Sequence, residues 1–201
     1  VACNEDLLLS QAEKAVKAGQ VVRLSGGDPV MYPNFSLQIL QRVKELGGVG
    51  SIAHNGSSPA FIEKLIPYLD FAAIDLKAAT GKELALRAGL KSEALGDKML
   101  NNSLRVQELL SNADVLVDIR TCVFSTTTLD DMLRMAEYIV KSGKVQNKFW
   151  TIRTYKPVVG CSWKPMLPGT TLEYARLVKE SYPDLKIGIR AKWEPGGFIY
   201  L

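Results

Sequence analysis

Val21-Val22-Arg23-Leu24-Ser25-Gly26-Gly27-Asp28-Pro29 is the stretch on which the reading of this chain turns. Its first four residues are apolar or β-branched at three of four positions, which suits a short strand. Two glycines and a proline then force a sharp turn. Glycines at such a turn also let backbone approach a ligand closely and present its N–H and C=O groups. On either side the pattern changes period. Residues 6–17 carry Leu8, Ala12, Ala15 and Val16 at helical spacing, and Gly19 stops them. Residues 35–46 form a second amphipathic stretch, closed by Gly47-Gly48. The local unit is therefore helix, strand, glycine turn, helix.

The alternation continues along the chain. Residues 49–54 read as a strand with a loop at Asn55-Gly56, 59–65 as helix, and 71–76 as an apolar run of the kind found in buried parallel strands. A longer insert follows, with helices expected at 82–89 and 95–110. Residues 115–123 are a strand. Thr127 or Thr128 can cap a helix over 129–141, where Asp130 and Asp131 suit the first turn. Residues 148–154 are a strand, 157–169 a Pro/Gly-rich loop, 172–181 a helix, 186–190 a last strand, and 193–201 an extended tail. About six strands alternating with helices give a parallel sheet with crossover helices, as an open sheet or a barrel. No repeat, low-complexity stretch or linker interrupts 1–201, which read as one domain.

The bulk numbers agree. The chain has 201 residues, 47% hydrophobic and 23% charged, enough for one α/β domain with a large core. A net charge of +4, with its lysines and arginines dispersed, does not indicate a nucleic-acid partner and suits an anionic small molecule. No apolar run approaches the roughly 18–20 residues that span a bilayer, and no secretory leader is read. Cys3, Cys122 and Cys161 do not resemble a disulfide framework, so a reducing cytoplasm is expected.

In parallel α/β folds, function gathers at the carboxyl ends of the strands. There the sequence offers Ser25 to Pro29, then His54, Asn55 and Gly56, then Asp75-Leu76-Lys77, then Arg120, Thr121 and Cys122, then Arg153 to Lys156. Asp28 can accept from a cationic amine. Asp75 and Lys77, two apart on a strand, point to one face, as a structural ion pair or as part of a site. Arg120 and Arg153 are surface residues or, in matching strand positions, a carboxylate clamp. His54 reads as a hydrogen-bonded loop residue, and Cys122 as core. Cys161, in Val159-Gly160-Cys161-Ser162-Trp163, is a loop thiol or a redox or substrate-side residue, and the sequence does not choose.

The glycine segment resembles the radical S-adenosylmethionine (SAM) superfamily, in which a strand ends in Gly-Gly-Glu-Pro; here Asp28 stands for the glutamate. The likeness continues in order. Ile52-Ala53-His54-Asn55-Gly56 resembles the family's Thr-Asn-Gly strand end. Leu69 to Lys77 resembles the Asp-x-x-x-x-Asp-x-Lys stretch of glycyl-radical-enzyme activating proteins, such as pyruvate formate-lyase activating enzyme. Val117-Asp118-Ile119-Arg120 resembles their Ile-Arg strand, and Lys156 stands where their Leu-Pro-Tyr-His segment has histidine. The defining Cys-x3-Cys-x2-Cys motif is represented only by Cys3-Asn4, its expected end, so the resemblance implies an N-terminally incomplete domain lacking its first strand and cluster loop.

What the resemblance implies is a partial (β/α)6 TIM-like barrel with two cofactors, a [4Fe-4S] cluster and SAM. Cys3 is then a cluster ligand. Gly26, Gly27 and Asp28 hold the SAM amino group, Asp75, Lys77 and Arg120 surround its carboxylate and ribose end, and Asn55 and Lys156 line the same rim. The activity implied is reductive cleavage of SAM to a 5′-deoxyadenosyl radical that abstracts hydrogen from a substrate. The implied partners are a glycyl-radical enzyme or other protein substrate and an electron donor such as flavodoxin or ferredoxin. The 157–169 loop and the segment from Trp193 to Gly197 are candidate substrate edges. Two alternatives stand beside this. One is a cluster-free barrel that binds SAM or serves as a scaffold. The other is an orotidine-phosphate decarboxylase-like barrel, suggested by Asp75-Leu76-Lys77 but lacking the second aspartate, since Thr80 is at its place.

Overall fold

A computed structural model describes residues 4–191 and 196–201. The elements run α1 (Glu5–Lys17), β1 (Val22–Leu24), α2 (Pro33–Glu45), β2 (Gly50–His54), α3 (Pro59–Leu65), β3 (Phe71–Asp75), α4 (Gly81–Ala88), α5 (Glu93–Asn112), β4 (Leu116–Val123), α6 (Leu129–Lys141), β5 (Lys148–Thr154), α7 (Pro168–Ser181), β6 (Lys186–Arg190) and β7 (Ile199–Tyr200). The strands lie side by side in chain order. β1 through β6 are parallel, and β7 returns antiparallel to β6. Sequential parallel strands whose crossovers share one hand put their helices on one side, and strand twist curls the sheet. The result is a partial TIM-like barrel, as the sequence implies.

Strand alternation divides the sheet into two unlike faces. One face carries Ile52, Ala72, Ile74, Leu76, Val117, Ile119, Val123, Trp150, Ile152, Ile187 and Ile189, all buried in a single core with residues of α3, α5, α6 and α7. Each fully buried Leu or Ile there contributes about 1.5–3 kcal/mol. The other face carries Arg23, Ser51, Asp75, Asp118, Arg120, Cys122, Thr151 and Arg153 by the same alternation. Among the described residues it receives no layer of helices. Cys122 thus belongs to the polar face and is half-buried, which corrects its expected place in the core.

Helix starts follow local chemistry. α6 has a full capping box: Thr128 accepts from the Asp131 N–H, and the Asp131 carboxylate accepts from the Thr128 N–H. Thr127 is used differently, its Oγ1 accepting from the Phe124 N–H at 3.1 Å. Thr80 caps α4 through the Glu83 N–H. α2 and α7 begin two and four residues earlier than apolar spacing suggests, at Pro33 and Pro168. Proline suits a first helical position because its missing N–H would have no partner there. At the far end of α6, buried Lys148 donates to the carbonyls of Ile139 (2.6 Å) and Ser142 and to the Ser142 hydroxyl at 3.0 Å.

Candidate functional site

The polar face ends in a rim at the carboxyl ends of the strands. At β1 the chain turns through Gly26, whose φ of +118° is open to glycine but strained for other residues. A Cβ built on Gly27 meets nothing within 4 Å, so no protein neighbour requires that glycine. The turn is held from behind by Asp28. Its Oδ1 accepts from Nδ1 of His54 at 2.6 Å and from the Val30 N–H at 3.2 Å, and its Oδ2 from the Asn55 N–H at 3.0 Å. Burial raises the carboxyl pKa, but these hydrogen bonds and the His54 charge outweigh it and hold Asp28 below the usual carboxylate range. Asp28 therefore ties the first loop to the second, with one lone pair of Oδ2 uncommitted. His54 is hydrogen-bonded as the sequence suggested, but as the buried last residue of β2 and not as a loop residue. Asn55 turns its Oδ1 to the Ser57 N–H at 2.8 Å, which leaves its amide donors available.

The segment Asp75-Leu76-Lys77 is fixed at every carbonyl. Ser103 of α5 donates to Asp75 O at 2.9 Å, Thr121 of β4 to Leu76 O at 2.9 Å, and Arg87 of α4 to Lys77 O at 2.7 Å. Thr121 is itself oriented by the Trp150 indole N–H at 2.8 Å. On this frame Lys77 Nζ lies 2.9 Å from Asp75 Oδ2. Arg120 Nε sits 3.9 Å from both Asp75 and Asp118, too far for a hydrogen bond, and is buried without a partner among the described residues. Its Nη2 donates to Ala73 O at 3.3 Å. Asp118 accepts from Thr151 Oγ1 at 2.5 Å.

Arg120 and Arg153 are not in matching positions. Arg120 pairs in register with Thr151, and Arg153 with Cys122, one step further toward the rim. They share a face diagonally, because their offset is two residues. Beyond them Tyr155 and Trp163 pack on Phe124, with ring centroids 4.9 and 5.4 Å apart, and Arg87 lies 4.9 Å from the Phe124 centroid on its other contact. This brings the 157–169 loop against the rim. Cys161 is half-buried in it.

The rim thus gathers Gly26, Gly27, Asp28, Asn55, Asp75, Lys77 and Arg120. Lys156 is exposed in the loop after β5 and outside the ion-pair network. Cys3 lies outside the described residues, as do Trp193, Glu194 and Pro195. Among the described residues no three His, Cys, Asp or Glu side chains converge as a metal site, and no helix is long and apolar enough to cross a membrane. Sequence reasoning missed Arg87, Ser103 and Asp118 because their value comes from long-range contacts. The polar Ser103 and Gln107 within the buried stripe of α5 were the available signal.

No family model matches the chain. Among curated proteins it is 31% identical over 100 residues to a provisionally named glycyl-radical enzyme activating enzyme of Methanocaldococcus jannaschii, covering 49% of this chain and 40% of that protein. It is 25% identical over 123 residues to the 7-carboxy-7-deazaguanine synthase of Methanothermobacter thermautotrophicus, covering 60% of this chain and 48% of that protein. The matched stretches span about half the length of these relatives. Among solved structures, a domain of pyruvate-formate lyase-activating enzyme from Bacteroides vulgatus superposes with a TM-score of 0.65 at 17% identity, covering 84% of this chain and 97% of that one. Its likeness, shared by further solved radical SAM proteins, is one of fold.

Proposed function

We propose that this chain, a relative of the radical SAM superfamily by sequence and by fold, forms the SAM-binding part of a radical SAM enzyme of the activating type. The observation that carries the reading is the rim itself: an open glycine turn braced from behind shares the carboxyl end of one sheet with Lys77 and Arg120, and the Asp75-Leu76-Lys77 backbone is fixed at three successive carbonyls.

The residues fit the two ends of SAM. The unfilled space over Gly27 admits backbone contact with an amino group, and Asp28 keeps a lone pair for it. Lys77 and the unsatisfied Nε of Arg120 suit its carboxylate. Asp75 suits ribose hydroxyls, while Asn55 and Lys156 extend the rim. Cys3 is proposed as one cluster ligand, and such a cluster requires further thiolates. When bound, the reduced [4Fe-4S] cluster and SAM together supply the 5′-deoxyadenosyl radical that takes hydrogen from the substrate. The chain's own part is to bind, to orient, and to keep water off with the Phe124–Tyr155–Trp163 cluster at the rim. The substrate we favour from the resemblance is a glycine of a partner enzyme, with a flavodoxin or ferredoxin as electron donor, in a reducing cytoplasm.

The test is anaerobic reconstitution of the full gene product, measuring iron and sulfide content, SAM affinity and 5′-deoxyadenosine release under reductant. The reading expects all three, with Lys77→Ala and Arg120→Ala each weakening SAM binding about tenfold or more. SAM binding without iron would instead mark a cluster-free scaffold. Absence of SAM binding in the iron-loaded protein would overturn the proposal.

A further inference from the structure

The charges on the polar face do not balance. Asp75 and Asp118 lie among Lys77, Thr151 and Arg120. Arg153 and Arg190, adjacent in register on β5 and β6, make no ion pair with a carboxylate among the described residues. Arg153 Nε is buried and has no hydrogen-bond partner among them. Burial first, then the charges of Arg120 and Arg190, disfavour the charged form of Arg153, and the charges of Asp118 and Asp75 offset them only in part. A guanidinium held in such surroundings is a costly arrangement unless an anion completes it. SAM does not meet that need, because its single carboxylate is exceeded by an ammonium and a sulfonium.

One strand step below the arginines the same face changes character. Gly188, between Lys186 and Arg190 in the alternation, is covered by Phe198, and a Cβ there would lie 2.1 Å from the Phe198 ring and 2.6 Å from that of Phe149. Phe198 and Tyr200 have ring centroids 4.7 Å apart, and Phe149 and Phe198 6.0 Å apart. Tyr200 remains 74% exposed, so this aromatic floor is open to a ligand.

We infer that Arg153 and Arg190 form a carboxylate clamp above the Phe198–Tyr200 floor, and that the site takes a small planar ring bearing a carboxylate. The two guanidiniums supply forked donors of the geometry a carboxylate accepts. The rings supply an apolar platform on which a planar ligand stacks. The clamp lies beside Arg120, so a bound ring sits next to the proposed SAM carboxylate end. The ring is a ligand additional to the glycine substrate; this inference rests on the reading above only for the neighbouring SAM site, and not for the binding itself.

Calorimetry on the full chain tests it, with benzoate as probe against benzamide, inorganic phosphate and an acetylated, amidated Gly-Asp-Gly peptide. Benzoate is expected to bind about tenfold tighter than benzamide. Arg153→Gln and Arg190→Gln should each erase most of that preference, while Arg153→Lys retains part of it and SAM affinity changes less than about twofold. Arg190 is exposed, so its variant keeps the test readable should the Arg153 variant unfold. Equal binding of benzoate and benzamide, or a benzoate preference indifferent to both substitutions, would overturn the clamp. Tighter binding of phosphate would overturn the carboxylate, and tighter binding of the peptide would overturn the planar ring. None of these readouts uses iron or deoxyadenosine, so failure here is distinguishable from failure of the radical chemistry.

Discussion

His54 Nδ1 donates to Asp28 Oδ1 at 2.6 Å, joining the end of β2 to the glycine turn that follows β1. The contact makes the acidic residue of the turn a brace between two loops. Because an ionised carboxylate only accepts, Nδ1 of His54 is the donor in this bond.

Asp28→Asn should cost about 1–3 kcal/mol, since it weakens three hydrogen bonds to a partly buried acceptor. The pH dependence has a definite sign. The folded pKa of Asp28 lies below its unfolded value of about 3.9, so its contribution is complete above that pH and is lost as pH falls through the folded pKa. Urea melts from about pH 2 to 5 should show the acid limb of wild type flattened in Asp28→Asn.

Thr121→Val should remove the donor to Leu76 O and the acceptor of the Trp150 indole together. Two buried groups lose partners, each at about 1–3 kcal/mol. The same change frees the backbone before Lys77, so SAM affinity should fall although Thr121 touches no proposed ligand atom. A loss of stability with SAM affinity unchanged would show that the frame does not position the lysine.

Lys148 is held among the carbonyls that end α6, and burial pulls its pKa down to about 8. The unfolded chain keeps that proton to about pH 10.4. Between these values the unfolded state binds more protons, so the Lys148 contribution to stability rises with pH. Wild type should gain stability between about pH 8 and 10 relative to Lys148→Met, measured by denaturant melts at each pH. At pH 7 the substitution should still cost about 1–3 kcal/mol through the unpaired carbonyls of Ile139 and Ser142.

Gly188→Ala should displace Phe198, because the new Cβ would lie 2.1 Å from its ring. Overpacking of this kind costs about 1–3 kcal/mol. The change should appear in near-ultraviolet circular dichroism, with far-ultraviolet signal retained.

Much of this fold was legible because its strands are short, β-rich and bounded by turn residues. The bounds 148–154 and 186–190 follow directly from such runs. The starts of α2 and α7 were less legible because Pro33 and Pro168, which precede the apolar periodicity, serve as first helical residues. Within the site, Asp75 does pair with Lys77, two residues on, although β3 ends at Asp75 and Lys77 lies in the loop beyond it. The diagonal relation of Arg120 to Arg153 does not, because register between strands is set by neighbours far away in sequence. The depth of Lys148 was hidden for a similar reason: its partners belong to the helix before it.

The two-faced sheet also bears on how the chain finds its pairing. A slip of β4 by one residue against β3 would carry Asp118 and Arg120 into the core beside Met132 and Trp150. Moving each ion out of water costs several kcal/mol, a large fraction of the stability of a domain this size. The rim charges therefore act during folding as a check against misaligned strands. A chain stripped of them could pair its apolar strands in more than one way, so the residues proposed to hold the ligand also help to hold the sheet to a single alignment.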